Sequence, residues 1–370
     1  MLQRNQKIKN LQTNSCDRSS SFDLRKIGLN PNFWYPLAQS KELKKEKPHQ
    51  VSFGGEPIVL VRTKSNQIFA LEDRCAHRQI PLSMGVVCGE KITCTYHGWQ
   101  YDQTGKIAKV SYLPKNCSLP KGVKSYPCKE AYNHIFVFPG KVELAETVPF
   151  PEIKNWSNNE YKTMYFSRRV NCHYSFMKEN LMDMNHQFLH RKFMGKVKPT
   201  IIENSQGENW VEAKYKFSGE PHPSANLVLA AGRKEDSSSE DLDFDIMTIR
   251  TEYPYQTLKV CPPNSENPLL NLWVVYIPVD QEQKINHSFG MLMIRKPKIP
   301  GLINLLWPLM RYFTQVIFTE DKLAVETEQK AYDIQGEDRN QEVFSLILDV
   351  RELLYKKRVS LFPKIKYIAI

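Results

Sequence analysis

The sequence predicts an α+β fold in two parts, an N-terminal part made of β-strands and a C-terminal part that combines strands with a few helices. The chain has 370 residues, more than the roughly 250–300 that usually share one hydrophobic core. Alternating or aromatic-rich runs, which are typical of short strands, occur at 57–62, 67–71 and 91–94. The run 323–332 has a helical pattern instead.

Residues 1–32 are mostly basic and polar and have no periodic apolar face. This composition is typical of a disordered arm. An organelle transit peptide is the alternative, because no acidic residue precedes Asp17. We expect this arm to lie outside the folded domains.

The net charge of +11 at pH 7 raises the question of a nucleic-acid partner. The basic residues are scattered along the chain and no nucleic-acid-binding motif occurs, so we exclude that class. The eight cysteines show no disulfide framework. This fits a reducing compartment, and we expect a cytoplasmic protein.

The most apolar segment, 299–318, is interrupted by prolines and by polar or charged side chains. The interruptions include Pro300, Asn304, Pro308, Arg311 and Gln315. The segment is therefore not a membrane-spanning helix, which needs about 20 apolar residues. We favour a buried helix, with contact with a membrane surface as the alternative.

Two pairs of metal-binding side chains carry the strongest chemical signal. Cys75 and His77 stand in C-A-H, Cys94 and His97 stand in C-T-Y-H, and sixteen residues separate the pairs. A Rieske [2Fe–2S] cluster requires two cysteines on one iron and two histidines on the other. Structural zinc accepts the same ligand types, but it usually pairs Cys with Cys and His with His at short spacing.

The stretches 74–78 and 94–99 resemble the Rieske domain of ring-hydroxylating oxygenases. The resemblance implies an all-β domain over residues 33–144, which opens at Phe33 and closes at the strand-like run 134–140. It also implies that the two Cys–His pairs hold the cluster.

Cytochrome bc-type Rieske proteins have an additional Cys in each loop and a Ser after the His-Gly pair. Here Ile80 and Tyr96 stand near those cysteine positions, and Trp99 takes the place of the Ser. With no disulfide and fewer hydroxyl donors to the sulfur atoms, we expect a low reduction potential, nearer about −150 than +300 mV.

A second candidate metal site lies in the stretch 179–190, E-N-L-M-D-M-N-H-Q-F-L-H. If this stretch is helical, Asp183, His186 and His190 fall within about 60° of one another on one face. Two histidines and one carboxylate form the facial triad of non-haem Fe(II) oxygenases, which leaves positions open for O₂ and substrate. Ordinary surface or core histidines are the alternative.

The same stretch resembles the mononuclear iron motif of Rieske oxygenases. The resemblance implies that His186 and His190 bind Fe(II). The third ligand of the family comes from a C-terminal acidic segment, which corresponds here to Asp321, with Glu320 as the alternative. Acidic residues also favour helix starts because of the helix dipole.

The spacing of the two histidines departs from that of many family members. Three residues separate His186 from His190, where the family often has four. The second ligand is therefore open. His173 is the other nearby histidine, and its position favours a structural or pocket-lining role.

The resemblance also implies a helix-grip (START-like) catalytic domain over 145–370, with an antiparallel sheet and helices. In the family, the aspartate that corresponds to Asp183 hydrogen-bonds an iron-binding histidine, here His186. It also hydrogen-bonds a cluster histidine of the neighbouring subunit, here His77 or His97. This arrangement implies a head-to-tail homotrimer.

These features predict the terminal oxygenase of a Rieske system, which hydroxylates or demethylates a hydrophobic substrate with O₂. The electrons are expected from NAD(P)H through a ferredoxin or flavin reductase, and the basic surface favours an acidic donor. Tetrapyrroles, sterols and methoxylated aromatics are the substrates we consider, and the single-chain form favours monooxygenation over dioxygenation. The alternatives are an electron carrier with a non-catalytic second domain and a zinc-stabilised interaction protein.

Overall fold

The structure is a computed structural model that describes residues 23–114, 116–221, 245–262 and 265–360. Within these ranges the chain forms twenty strands and four α-helices, joined in places by short 3-10 helices. Strands β1–β12 are Ile27–Gly28, Tyr35–Gln39, His49–Phe53, Glu56–Arg62, Ile68–Glu72, Val86–Cys88, Lys91–Thr93, Gln100–Tyr101, Ile107–Lys109, Ser125–Tyr126, Cys128–Ala131 and His134–Val137. Strands β13–β20 are Tyr161–Val170, Gly195–Gln206, Trp210–Pro221, Ile246–Glu252, Tyr255–Cys261, Leu270–Pro278, Asn286–Arg295 and Val359–Ser360. Helices α1–α4 are Tyr174–Met182, Arg191–Met194, Leu302–Gln335 and Ser345–Lys356.

The chain divides into two compact units. The N-terminal unit comprises Leu29–Ile153 and Ile277–Phe289. Among the described residues, the C-terminal unit comprises those up to Gly28, those from Lys154 to Tyr276 and those from Gly290 onward.

These units differ from the domains predicted at 33–144 and 145–370. The division falls nine residues later, and the distant segment 277–289 belongs to the N-terminal unit. Long-range hydrogen bonds within that unit hold the segment, for example from the Gly54 N–H to the carbonyl of Pro278 (2.7 Å). No local sequence pattern reports such a contact.

The N-terminal unit is built from three small sheets, in the strand orders β10-β5-β4-β3, β11-β12-β2 and β6-β7-β8-β9. Strands β4, β5 and β7 lie where the sequence predicts strands, and the all-β prediction is confirmed. Apolar side chains from these strands form one core that also contains the candidate cluster cysteines. Its members include Val59, Val61, Phe69, Leu71, Cys75, Leu82, Ile92, Cys94 and Tyr101.

The C-terminal unit is a seven-stranded sheet in the order β13-β19-β18-β17-β16-β15-β14, and the pairings from β14 to β18 are antiparallel. The long helix α3 packs on this sheet through Ile303 and Met310. These side chains form a cluster with Met164 of β13 and with Leu292 and Ile294 of β19. The predicted α+β class, with a mixed second part, is confirmed.

The predicted disordered arm is wrong for residues 23–32. Residues 1–22 lie outside the described residues, but Leu24 and Ile27 are buried. Strand β1 pairs antiparallel with β20, with Ile27 opposite Ser360. The partner of β1 is more than 300 residues away in the chain, so local composition cannot reveal it.

A buried ion-pair network anchors this segment to the first helix. Glu179 of α1 accepts from Arg25 Nη1 at 2.6 Å and from Arg351 Nη1 at 2.8 Å. The two arginine side chains are only 1% and 2% exposed, and the Arg25 guanidinium lies 3.5 Å from the ring centre of Phe176. One carboxylate thus fixes α1 to both ends of the described chain.

We predict that Glu179→Ala lowers the free energy of unfolding by about 3–5 kcal/mol, because two buried guanidinium groups lose their shared carboxylate. Denaturant unfolding measures the change. The control is Glu352→Ala, which removes the exposed i,i+4 pair with Lys356 and should cost about 0.3–0.5 kcal/mol. Equal effects of the two substitutions would show that the network does not carry this stability.

Candidate metal centres

The candidate cluster ligands lie on two loops of the N-terminal unit that share one backbone pattern. The N–H groups of Cys75 and Cys94 each donate to the carbonyl five residues later, at 2.7 and 2.9 Å. Each cysteine carbonyl accepts from the N–H four residues later, at Gln79 (2.9 Å) and Gly98 (3.0 Å). Both of these residues have left-handed backbone, with φ of +60° and +69°. The two loops therefore turn alike, and a glycine suits the second turn.

The loops bury the two sulfur atoms and expose the two imidazoles. Cys75 and Cys94 are buried, whereas His77 and His97 are exposed. The two imidazole ring centres lie 4.5 Å apart, and the indole of Trp99 stacks on His77 at 4.8 Å. The loops therefore bring together all four predicted ligands.

The hydroxyl group of Tyr101, which no sequence motif indicates, lies beside the sulfur atom of Cys75. The Tyr101 hydroxyl is 3.1 Å from Cys75 Sγ, and its oxygen accepts the N–H of Ala76 at 2.9 Å. Either atom can be the donor in this contact, and the hydroxyl donates when Cys75 is a thiolate, as it is when it binds a metal. Tyr101 follows the second loop on β8, and only folding places it against the first loop.

The second motif does not form one continuous helix. Helix α1 ends at Met182, and Asp183 is extended with φ −87° and ψ 91°. A 3-10 helix then covers Met184–Phe188, and His190 caps Arg191–Met194. The helical condition under which Asp183, His186 and His190 share one face is therefore not met.

The side chain of Asp183 accounts for the break. Its Oδ1 accepts from the N–H of Asn185 (2.9 Å) and from the Asn185 side-chain amide (2.9 Å). Aspartate side chains compete with helical hydrogen bonds in this way and start new turns. The carboxylate ends one helix and begins the next.

The two histidines nevertheless converge on one carboxylate of α3. His190 Nε2 lies 3.1 Å from Asp321 Oδ1, and His186 Nε2 lies 3.6 Å from the same oxygen. The two imidazole centres are 5.2 Å apart and nearly perpendicular. All three predicted residues of the facial triad are therefore together.

The other nitrogen of each imidazole is hydrogen-bonded to the protein. Nδ1 of His190 bonds to Glu320 Oε2 at 2.8 Å, and Nδ1 of His186 contacts the main-chain carbonyl of Asp183. Such bonds orient metal-binding histidines and direct Nε2 toward the metal. Glu320, the alternative ligand, therefore lies on the outer side of His190.

The residues between the imidazoles and Asp321 fit a divalent cation. His190 Nε2 and Asp321 Oδ1 are buried and face each other at 3.1 Å, but neither has a partner with hydrogen-bond geometry, which is costly unless a cation satisfies them. Burial lowers the pKa of His190, but Asp321 and Glu320 outweigh it, so the pKa is raised overall. Metal binding at Nε2 would therefore compete with protonation of this imidazole.

One predicted contact differs from the expectation, whereas His173 has the surroundings of the structural residue that its position favours. His186 contacts the main-chain carbonyl of Asp183, whereas the family resemblance implies a contact with the Asp183 carboxylate. His173 is buried, and its two ring nitrogens bond to Ser175 Oγ (2.8 Å) and to the carbonyl of Ile27 (3.0 Å). Burial lowers the pKa of His173 to about 3, so it is a neutral structural residue.

Known families match both halves of the chain. The Rieske [2Fe-2S] domain matches residues 33–127, and the vanillate O-demethylase oxygenase C-terminal domain matches residues 170–360. A 4beta-methylsterol monooxygenase of Methylococcus capsulatus is 30% identical over 84% of this chain and 83% of its own length. The chain belongs to the Rieske oxygenase family.

This Rieske oxygenase also resembles demethylases of the family. The oxygenase component of dicamba O-demethylase from Stenotrophomonas maltophilia is 32% identical, over 81% of this chain and 88% of its own length. A crystal structure of dicamba monooxygenase bound to 3,6 dichlorosalicylic acid has the same fold. Its TM-score is 0.72 at 23% identity, over 89% of this chain and 98% of that one.

These relationships establish the general activity. The chain is the terminal oxygenase of a Rieske system, an oxidoreductase whose family implies a [2Fe–2S] cluster and a non-haem iron. Across the described ranges, none of the helices is long and apolar enough to cross a membrane.

We predict that Tyr101→Phe lowers the reduction potential of the cluster by about 20–65 mV. One hydrogen bond contributes about 0.5–1.5 kcal/mol. For the transfer of one electron, about 59 mV corresponds to a tenfold change in the equilibrium constant, which gives this range. Protein-film voltammetry measures the potential. Tyr112→Phe, which removes a fully exposed hydroxyl, is the control, and an unchanged potential in Tyr101→Phe would show that this hydroxyl does not tune the cluster.

Proposed function

We propose that this oxygenase inserts oxygen into a bulky apolar substrate, or oxidatively demethylates it, at an iron held by His186, His190 and Asp321. The proposal rests above all on the convergence of two imidazole Nε2 atoms and one carboxylate oxygen within 4.8 Å. We further propose that Cys75, His77, Cys94 and His97 hold the cluster. The pairing of buried sulfurs with exposed imidazoles supports this assignment.

When bound, the cluster supplies single electrons and the mononuclear iron supplies the activation of O₂. The role of the protein at the iron is to hold three donors on one side. Glu320 and the carbonyl of Asp183 fix the two imidazoles, and Asp321 adds one carboxylate from α3. The remaining side is then open for O₂ and substrate.

The proposed substrate class follows from the relatives. The names of two relatives describe monooxygenation of a methylsterol and O-demethylation of dicamba. Both names describe the oxidation of a molecule that carries a methyl group. We therefore propose monooxygenation or demethylation in preference to formation of a cis-diol.

Electron supply is proposed to require a second copy of the chain. Asp183 is half-buried, and a half-buried carboxylate can accept an imidazole N–H from a neighbouring copy. The exposed His77 and His97 suit that contact. This arrangement gives a head-to-tail homotrimer. A ferredoxin or flavin reductase, supplied by NAD(P)H, is the proposed donor.

The proposed location is the cytoplasm. Seven cysteines of the described residues are free, which supports a reducing compartment. Chloroplast proteins are also among the relatives that share part of this chain, so import into an organelle is the alternative.

The assignment of the iron ligands is tested by metal content. Anaerobically purified protein should contain about three irons and two acid-labile sulfides per chain, the sum of one [2Fe–2S] cluster and one iron. Asp321→Ala should lose about one iron and retain the visible spectrum of the cluster. Glu320→Gln, the matched control, should keep three irons but bind the mononuclear iron about 10–100-fold more weakly. Retention of the mononuclear iron in Asp321→Ala would contradict this assignment and indicate that Glu320 is the third ligand.

The proposed role of Asp183 is tested by electron transfer. Asp183→Asn should retain both metal centres and slow single-turnover reoxidation of the cluster by at least about ten-fold, because it loses a charged hydrogen-bond acceptor. Glu342→Gln is the control, because Glu342 is a second carboxyl group near Asp183. Burial raises the pKa of Glu342 most, and the charge of Asp183 raises it further. Loss of iron in Asp183→Asn would make Asp183 a ligand instead, and an unchanged rate would remove it from the path.

A further inference from the structure

The N-terminal half of α3 carries large apolar side chains on the face that points away from the sheet. Ile303 and Met310 are buried against the sheet. Leu305, Leu309 and Tyr312 are 77%, 38% and 58% exposed. Their i, i+4, i+7 spacing places them in one stripe on the opposite side of the helix. The sequence of this segment favours a buried helix. The exposure of this stripe shows that one face of the helix is not buried.

Another exposed apolar side chain lies in the turn before the helix. Ile299 is 64% exposed, and Gly301 begins the helix with a left-handed φ of +82°. We call Ile299, Leu305, Leu309 and Tyr312 the outer apolar face. Soluble proteins commonly expose single apolar side chains, but a row of three on one helix face, with a fourth in the turn before it, indicates a contact surface.

The chain around this face is positively charged. Residues 290–319 contain no Asp or Glu, and their basic residues are Arg295, Lys296, Lys298 and Arg311. Residues 184–202 also contain no Asp or Glu, and their basic residues are Arg191, Lys192, Lys196 and Lys198. An edge-to-face contact between Phe193 and Phe313, at 6.3 Å, joins the two segments.

We propose that the outer apolar face is a membrane-contacting surface that binds bilayers with anionic headgroups. A helix that lies in the membrane interface combines a row of Leu and aromatic side chains with flanking Lys and Arg. Anionic lipids attract such basic residues. The helix would lie on the bilayer and not cross it, consistent with its interrupted apolar sequence.

Charge argues against the other occupants of this face. A two-fold contact with a second copy would place two acid-free basic segments against each other, which like-charge repulsion opposes. The head-to-tail contact proposed above uses Asp183 and the exposed imidazoles instead of this face. An acidic protein would match the charges, but four aliphatic or aromatic side chains are not needed to bind it. A bilayer satisfies both features at once.

The same helix carries Asp321 toward its C-terminal half. At 1.5 Å per residue, the sixteen residues from Leu305 to Asp321 span about 24 Å. Docking would therefore hold the candidate iron site at a fixed distance from the bilayer, a source of apolar substrates. This link to the substrate depends on the proposed function, whereas docking itself does not.

Vesicle flotation of the full-length holoprotein tests the surface. The vesicles are phosphatidylcholine alone, or phosphatidylcholine with phosphatidylglycerol at about three to one. We expect binding to the anionic vesicles that weakens with added salt. The double substitution Leu305→Glu with Leu309→Glu should reduce the bound fraction at least ten-fold. Ile334→Glu is the control, because Ile334 is 87% exposed on the same helix but outside the face.

Three results would overturn the proposal. One is the absence of binding to anionic vesicles by the unmodified protein, and another is an equal loss in Ile334→Glu. The third is a change of oligomeric state in the double variant, measured by light scattering, which would make the face a contact between copies. Iron and sulfide content is measured on the same samples, so failure of the iron site is distinguished from failure of docking. If the double variant loses cluster or fold, Leu305→Gln alone replaces it with the same expected direction.

Discussion

The candidate iron site depends on one long-range constraint, the placement of Asp321 within reach of two histidines that precede it by more than 130 residues. Packing of α3 on the sheet, through Ile303 and Met310, fixes the direction of the helix that carries Asp321. The histidine segment follows helix α1, which ends just before Asp183. Glu179 fixes α1 through its ion pairs with Arg25 and Arg351. A shift of either helix would move the donor atoms apart. A metal ion tolerates changes of only a few tenths of an ångström in its distances to its ligands.

This convergence brings polar atoms together at a buried position. The desolvated Nε2 of His190 and Oδ1 of Asp321 lack hydrogen-bond partners, and buried polar atoms without partners destabilise a fold. The surrounding structure therefore maintains an arrangement that a cation completes. The arrangement at the cluster loops is different, because there a repeated backbone turn presents buried sulfur and exposed imidazole, and Tyr101 adds a hydrogen bond to one sulfur.

Helix α3 contributes to the core of the C-terminal unit, to the candidate iron site and to the outer apolar face. Its inner face builds the core of the C-terminal unit, and Asp321 and Glu320 serve the candidate iron site. Its N-terminal outer face remains apolar and exposed. One helix of 34 residues, with Pro308 in its N-terminal part, carries both the outer apolar face and Asp321. Position on a surface and geometry at the site are therefore linked through the same element.

The sequence alone determined the chemistry of both sites. Cys75, His77, Cys94 and His97 have a spacing that few other centres share, and the run from Asp183 to His190 has the ligand types of a facial triad. The strands of the N-terminal unit were also predictable, because alternation of apolar residues is a local property. Only the tertiary structure decided the break at Asp183, the positions of Glu320 and Tyr101, the ordering of residues 23–32 and the exposed face of α3. Each of these depends on contacts between residues distant in the chain, or on competition between side-chain and backbone hydrogen bonds, which local patterns do not encode.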